Sequence, residues 1–244
     1  MQLLVSVADA ADAGAAIEGG ADIIDAKDPS RGPLSPVSPA ALDAIVAAVA
    51  GRRPISAAFD AYSIGAYGEG AHSDGAFGTV DRLQRIAFVK TAIGSNVTVA
   101  PNVAVAPNVA AAKRAAEMIG ATALVLAGYA DGRWEHVIDV AARCGAQGVL
   151  LDTSDKNGPG LFRLVSEEKI AAWVEAAHEA GLVAALAGRI TAEDLPRAAA
   201  LGADIAGVRG AACEGGRGGR VSAERVRALA SVARQGISPM PAFL

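Results

Sequence analysis

The chain has 244 residues, is 52% hydrophobic and only 4% aromatic, and carries a formal net charge of −4. That length fits one domain with a large core of Ala, Val, Leu and Ile, and about 250 residues is the usual size of a (β/α)8 barrel. The acidic balance, the sparse aromatics and the lack of any apolar run near the roughly 20 residues of a membrane span argue against a nucleic-acid or membrane protein.

Apolar runs alternate with Ala-rich amphipathic stretches. Gln2–Val7 reads as a buried strand, and 9–18 as a helix with Asp9 as N-cap and Gly19-Gly20 as its stop. Residues 22–26 form a second strand, and 39–50 a helix capped by Ser38 with Pro39 at its first position. The third strand is 54–58, and the glycine-rich segment 59–75 after it has the composition of a lid. A helix including 79–85 leads to the fourth strand, 86–89. The prolines of the repeated V-A-P-N-V, at 99–103 and 105–109, make that stretch an extended loop. The pattern continues with helix 110–119, strand 122–126, helix 135–143, strand 148–151, helix 167–180 and strand 182–186. Helix 192–201, strand 204–206 and helix 223–233 complete it, with 215–219 reading as a mobile loop.

These are eight βα periods. Helices stop at Gly120, Gly145, Gly181 and Gly202, each just ahead of an apolar strand. Glycine is the usual residue just past a helix, and continuously apolar strands suit a parallel sheet covered on both faces. The expected fold is therefore α/β, a single (β/α)8 TIM barrel over residues 1–244. Cys144 and Cys213 make no disulfide framework, and His72, His136 and His178 are too scattered for a zinc site. The N-terminal Leu3-Leu4-Val5 has no basic leader before it, so the expected location is cytoplasmic. The Ala-rich helices leave apolar surface suited to a homo-oligomer.

Basic residues are mostly arginines; only Lys27, Lys90, Lys113, Lys156 and Lys169 are lysines. Lysine, unlike arginine, can lose its proton and attack a carbonyl. Lys113 and Lys169 fall in predicted helices. Lys27, Lys90 and Lys156 fall just after strands two, four and six, at the face where barrels do chemistry. Asp25 shares the Lys27 face of its strand, and Asp152 ends strand six ahead of Lys156. Several lysines in one mouth disfavour each other's protonation, so one can serve as an imine-forming amine beside acid/base groups. Asp25–Lys27 or Asp152–Lys156 could equally be a plain structural salt bridge. After strands seven and eight, A-L-A-G-R-I and I-A-G-V-R-G each place glycine and arginine in a βα loop. Gly188, Arg189, Gly207, Arg209 and Gly210 are accordingly candidate phosphate ligands, although glycines also simply make tight turns. Asp60, Tyr129 and Asp131 follow strands three and five and are further candidate substrate contacts.

The segments L-L-V-S-V-A-D-A-A-D-A, G-G-A-D-I-I-D-A-K-D-P-S-R-G, A-G-Y-A-D and D-T-S-D-K-N-G-P-G-L-F resemble the (5-formylfuran-3-yl)methyl phosphate synthase family of methanofuran biosynthesis. The resemblance covers most of the chain and departs after strand four, at T-A-I-G-S-N and the V-A-P-N-V repeat. It implies a (β/α)8 lyase that joins two molecules of glyceraldehyde 3-phosphate, a triose phosphate, with loss of phosphate and water. It implies Lys27 as the Schiff-base lysine, Lys90 as proton acceptor, and Asp25, Asp152 and Lys156 as supporting acid/base groups. No metal or other cofactor is implied, since an imine needs none. The Ala- and Arg-rich composition suggests a bacterial member, for which the resemblance implies a methanofuran analogue in the one-carbon metabolism of methylotrophs. Two other readings stay open: a class I aldolase or isomerase on another sugar phosphate, and a non-catalytic phosphometabolite-binding protein.

Overall fold

The computed structural model describes residues 1–58, 85–92, 123–132 and 134–235. Its strands are β1 (Gln2–Val7), β2 (Ile23–Ala26), β3 (Ile55–Ala58), β4 (Phe88–Ala92), β5 (Ala123–Tyr129), β6 (Gly148–Asp152), β7 (Val183–Leu186) and β8 (Ile205–Val208). Each pairs in parallel with the next, and β8 closes onto β1 through Gln2 opposite Ile205 and Leu4 opposite Gly207. The expected TIM barrel is the observed one. The described helices are α1 (Ala10–Glu18), α2 (Pro39–Val49), α3 (Val137–Cys144), α4 (Leu161–Leu164), α5 (Glu167–Glu179), α6 (Asp194–Ala200) and α7 (Ala223–Arg234).

Alternation along each strand divides the apolar residues into two cores. Leu3, Val5 and Val7 of β1, with Val149 and Leu151 of β6, pack outward against the helices. Leu4, Ile23, Phe88, Val125 and Leu150 point inward and fill the barrel. The largest fully buried side chains are all Leu or Ile, as the composition requires. Burying each contributes about 1.5–3 kcal/mol. The inward positions nearer the C-terminal mouth change character: Ser6, Asp25, Ser56, Lys90 and Asp152 are buried polar or charged residues. Small residues such as Ala185, Ala187 and Gly207 leave room among them.

Local signals account for the helix ends. Ser38 accepts the Ala41 N–H and precedes Pro39, and Asp9 accepts the Asp12 N–H. Gly145 stops α3 at φ +73°, returning its N–H to Ala141. Several expected boundaries move. The charge on Lys90 ended the expected apolar run, yet β4 continues through Lys90 to Ala92 because that amine is paired inside the barrel. β5 runs on to Tyr129, which is therefore a strand residue and not part of a loop. Helix α3 starts at Val137, two residues later than expected. Helix α4, a 3-10 turn over Gly210–Ala212, and a small antiparallel ribbon of β9 (Cys213–Glu214) and β10 (Arg220–Val221) were not foreseen. The segment expected to be a mobile loop, 215–219, is the tight connection of that ribbon, with the Gly219 N–H donated to Gly216 O. The lid segment 59–75, Asp60, His72, the repeat at 99–109, Lys113, Gly120, the helix expected at 110–119 and all but Arg85 of the one at 79–85 lie outside the described residues.

Candidate active site

The barrel mouth holds a cavity of about 440 Å³. Lys27, Lys90, Asp25, Asp152 and Lys156 all line it, as do Gly188, Arg189, Gly207, Arg209 and Gly210. Tyr129 and Asp131 are not among its lining residues.

One wall is built on strands. Asp25 lies opposite Ser56, and Ser56 opposite Phe88, so Lys90 is one inward position further along β4 and reaches Asp25 across β3. Lys90 Nζ is 2.7 Å from Asp25 Oδ1. Ser56 Oγ donates to the same oxygen at 2.7 Å, and Ser6 Oγ donates to Oδ2 at 2.9 Å. The expected same-face partner of Asp25 was Lys27; the ion pair forms with Lys90 instead. The Asp25 side chain is fully buried. Burial opposes its ionisation, but the Lys90 and Lys27 charges outweigh burial and hold the carboxyl below the usual carboxylate range.

The other wall ends in a loop. Asp152 Oδ1 accepts from Lys156 Nζ at 2.7 Å and from the Thr153 N–H at 2.7 Å. Lys156 Nζ also donates to Thr153 O. Burial pushes the Lys156 amine down, and Asp152 partly offsets this. Burial raises the Asp152 pKa, but Lys156 and Lys27 more than reverse it, leaving the carboxyl low. Asp131 fastens this loop: its carboxylate accepts the Ser154 N–H at 2.8 Å, the Asp155 N–H at 2.8 Å and Ser154 Oγ at 3.0 Å. It is a loop anchor here and has no place in the cavity wall.

Lys27 follows β2, with its N–H donated to Val7 O, and is buried. Among the described residues no carboxylate lies within ion-pair distance of its amine. Burial pulls its pKa down to about 8; Asp25 and Asp152 pull it back up, and Lys90 and Lys156 add to the depression. A lysine at its ordinary value is almost wholly protonated at pH 7, whereas one at about 8 is roughly a tenth neutral. Lys27 thus has the nucleophilic form available where Asp25, Lys90, Asp152 and Lys156 all act on it.

The candidate phosphate loops divide. Gly188 has φ +97°, and a Cβ there would sit 2.8 Å from Thr153 Cγ2 and 3.1 Å from Thr153 N, so both conformation and space demand glycine. A Cβ on Gly207 would lie 3.3 Å from Ala187 Cβ, while Gly210, at the start of the 3-10 turn, has no atom closer than 3.6 Å to such a Cβ. Arg189, exposed and at φ +57°, donates to Lys156 O at 3.0 Å and ties its loop to the Asp152 wall. Arg209 departs from expectation. Its Nη1 donates to Asp12 Oδ2 at 2.7 Å and Ser6 O at 2.9 Å, its Nη2 to Gly219 O at 2.8 Å and its Nε to Arg217 O at 3.2 Å. Four of its N–H groups are thus held by the protein, which removes the bidentate face expected for phosphate. Sequence reasoning missed Ser6, Asn157 and Thr191, which line the cavity, and above all Arg217, which lines it from the β9–β10 connection. The G-G-R-G-G that surrounds it was the available signal. Among the described residues no group of three or more His, Cys, Asp or Glu side chains is placed to hold a metal, and no helix is long and apolar enough to cross a membrane.

Known proteins resemble this chain in sequence and in fold. A family model described as 4-HFC-P synthase matches residues 3–230. The (5-formylfuran-3-yl)methyl phosphate synthase of Methanosarcina barkeri is 33% identical over 236 residues, 94% of this chain and 97% of that protein. That of Methanopyrus kandleri is 36% identical over 240 residues, with the same two coverages of 94% and 97%. Among solved structures, phosphoribosyl anthranilate isomerase from Thermus thermophilus superposes with a TM-score of 0.63 at 18% identity, covering 96% of this chain and 99% of that one. The 3-hexulose-6-phosphate synthase of Salmonella typhimurium gives 0.57 at 16% identity, covering 97% and 100%. At these identities the two structures speak for the barrel fold alone.

Proposed function

The chain belongs to the 4-HFC-P synthase family, and from that premise we propose that it condenses two glyceraldehyde 3-phosphate molecules to (5-formylfuran-3-yl)methyl phosphate through an imine on Lys27. The observation that carries this reading is the Lys27 amine, buried in the mouth with its pKa near 8 under the influence of two carboxylate–lysine pairs. The loops at Gly188, Arg189 and Gly210 line the same cavity and offer backbone donors to a phosphate, while Gly207, expected in a loop, lies within β8 opposite Leu4 and lines the cavity from the strand.

In this reading the neutral Lys27 amine adds to the carbonyl of the first triose phosphate and water leaves, forming the imine. The imine acidifies the adjacent C–H. Lys90 passes its own proton to Asp25 across their 2.7 Å contact, and the neutral amine takes the C–H proton and leaves an enamine. Asp152 and Lys156 assist loss of phosphate from this enamine as its C–O bond breaks, which leaves a conjugated imine ending in a CH2 carbon. C2 of the second triose phosphate, deprotonated beside its own aldehyde, bonds to that CH2, and the displaced electron pair moves toward the imine nitrogen; the C2 hydroxyl of the first unit is then in place to close on the second aldehyde. Ring closure, dehydration and hydrolysis of the imine release the product and restore Lys27. Atoms balance as two triose phosphates giving one furan phosphate, one inorganic phosphate and two waters, with no net oxidation. The same reading assigns the product to biosynthesis of methanofuran or its analogue, as the family resemblance implies.

The test is incubation with glyceraldehyde 3-phosphate, followed by detection of the furan aldehyde by its absorbance and mass. The expected result is that product with the wild-type protein and none with Lys27→Arg, which keeps the charge and loses the nucleophile. A non-furan aldol product from the wild type, or full activity in Lys27→Arg, contradicts it.

A further inference from the structure

The proposed reaction treats its two phosphates differently: one stays on the product and one departs. We propose that Arg217 is the ligand of the departing phosphate, and that the loops at Gly188 and Gly210 hold the one retained. This rests on the reaction proposed above and adds a subsite to it.

The two arginines near the end of β8 have opposite circumstances. Arg209 lies beneath the β9–β10 ribbon, with its guanidinium joined to Asp12 and three carbonyls. Two of those carbonyls belong to Arg217 and Gly219, so Arg209 fixes the backbone of the connection that carries Arg217 over the cavity. Among the described residues Arg217 donates only from Nη2, to Gly32 O at 2.9 Å and Pro29 O at 3.4 Å. Among the described residues its Nε and Nη1 donate to nothing, although the side chain is half-buried in the cavity wall. A half-buried guanidinium with unused donors is suited to a dianion that is not yet bound.

Its neighbours suit the departing group in particular. The Asp152 charge supports the Arg217 cation, and the Arg217 charge disfavours that of Lys156, so these three groups share one field. As the ester C–O bond breaks, the leaving phosphate takes the electron pair and gains negative charge, and it needs positive charge and then a proton. Arg217 supplies the first without giving up a proton, and the Lys156 ammonium stands ready for the second. The Gly188 and Gly210 loops, by contrast, offer backbone dipoles and suit a phosphate that keeps its charge throughout.

The experiment is titration with inorganic phosphate, followed by calorimetry and by 31P NMR, on the wild type, Arg217→Ala and Arg217→Lys. The Arg209 bonds go to backbone carbonyls, so Arg217→Ala leaves the ribbon held. The wild type should bind two equivalents. Arg217→Ala should lose one of them or weaken it by about ten- to a hundredfold, the scale of one charge-assisted contact. Arg217→Lys, with a point charge in place of the planar fork, should fall between. Borohydride trapping of glyceraldehyde 3-phosphate on Lys27 should survive in Arg217→Ala while furan formation drops by a similar factor. Unchanged two-site binding in Arg217→Ala, or loss of phosphate binding and trapping together, overturns the subsite. Failure of the wild type to trap an imine defeats the reaction instead, and leaves the phosphate count to judge Arg217.

Discussion

The two walls of the mouth carry the same ion pair on different supports. Asp25–Lys90 and Asp152–Lys156 both close at 2.7 Å. The first is held between strands, with Ser6 and Ser56 filling the remaining carboxylate positions and only 5% of the Lys90 side chain exposed. The second joins a strand end to its own loop, with Lys156 at 12% exposure and the loop anchored by Asp131. A pair built into the staves fixes where a proton is exchanged. A pair closing onto a loop can let its lysine follow a substrate through elimination. Burial lowers the Lys27 pKa most, and both pairs adjust it.

The largest expected effect comes from the group the two walls share. Lys27→Ala or Lys27→Arg should lower furan formation by about a thousandfold or more in a coupled product assay, since no other described amine takes its place. Next is the contrast between the walls. Asp25→Asn should lower activity by about 10²–10⁴-fold and destabilise the fold by about 3–5 kcal/mol, because it leaves the Lys90 charge buried without its counter-charge. Asp152→Asn should lose activity on a similar scale but destabilise less in urea melts, because the Lys156 loop can turn its amine to water. Equal losses of stability would erase the distinction between the walls.

The pH dependence sharpens the comparison further. The reactive Lys27 is the neutral form, so kcat/KM should rise with pH along a limb centred near 8, where its pKa stands. The Asp25 charge raises that pKa and the Lys90 charge lowers it. Asp25→Asn should therefore move the limb to lower pH and Lys90→Gln to higher pH, measured on whatever activity remains. Shifts of the same sign would show that Lys27 is not the titrating group. The smallest effect belongs to Asp131→Ala, which frees the loop without touching the cavity. A few-fold loss in kcat with Lys27 trapping intact is the expected outcome.

Much of the scaffold was legible before the structure, because it is encoded locally. Glycine stops followed by aliphatic runs mark the βα periods, and Ser38-Pro39 and Asp9 mark helix starts through bonds to residues three away. The three lysines were legible as a group because strand ends share one face of a barrel. Their partners were not. Asp25 turns to Lys90 and not to Lys27 only once β3 sets the stagger between β2 and β4. Lys90 broke an apolar run and hid the last residues of its strand, since a paired buried charge looks in sequence like a surface one. The arginines show the same limit. Arg189, Arg209 and Arg217 all follow or adjoin glycines, yet Arg209 is claimed by Asp12, 197 residues away in the chain. No spacing rule distinguishes that bracket from the donors left open on Arg217.

Sodium borohydride reduction with glyceraldehyde 3-phosphate, followed by intact mass and peptide mapping, tests the central claim most directly. The account predicts one triose-phosphate adduct per chain, on the peptide containing Lys27, forming faster as pH rises through about 8. No adduct, or an adduct on Lys90 or Lys156 with Lys27 unmodified, contradicts it.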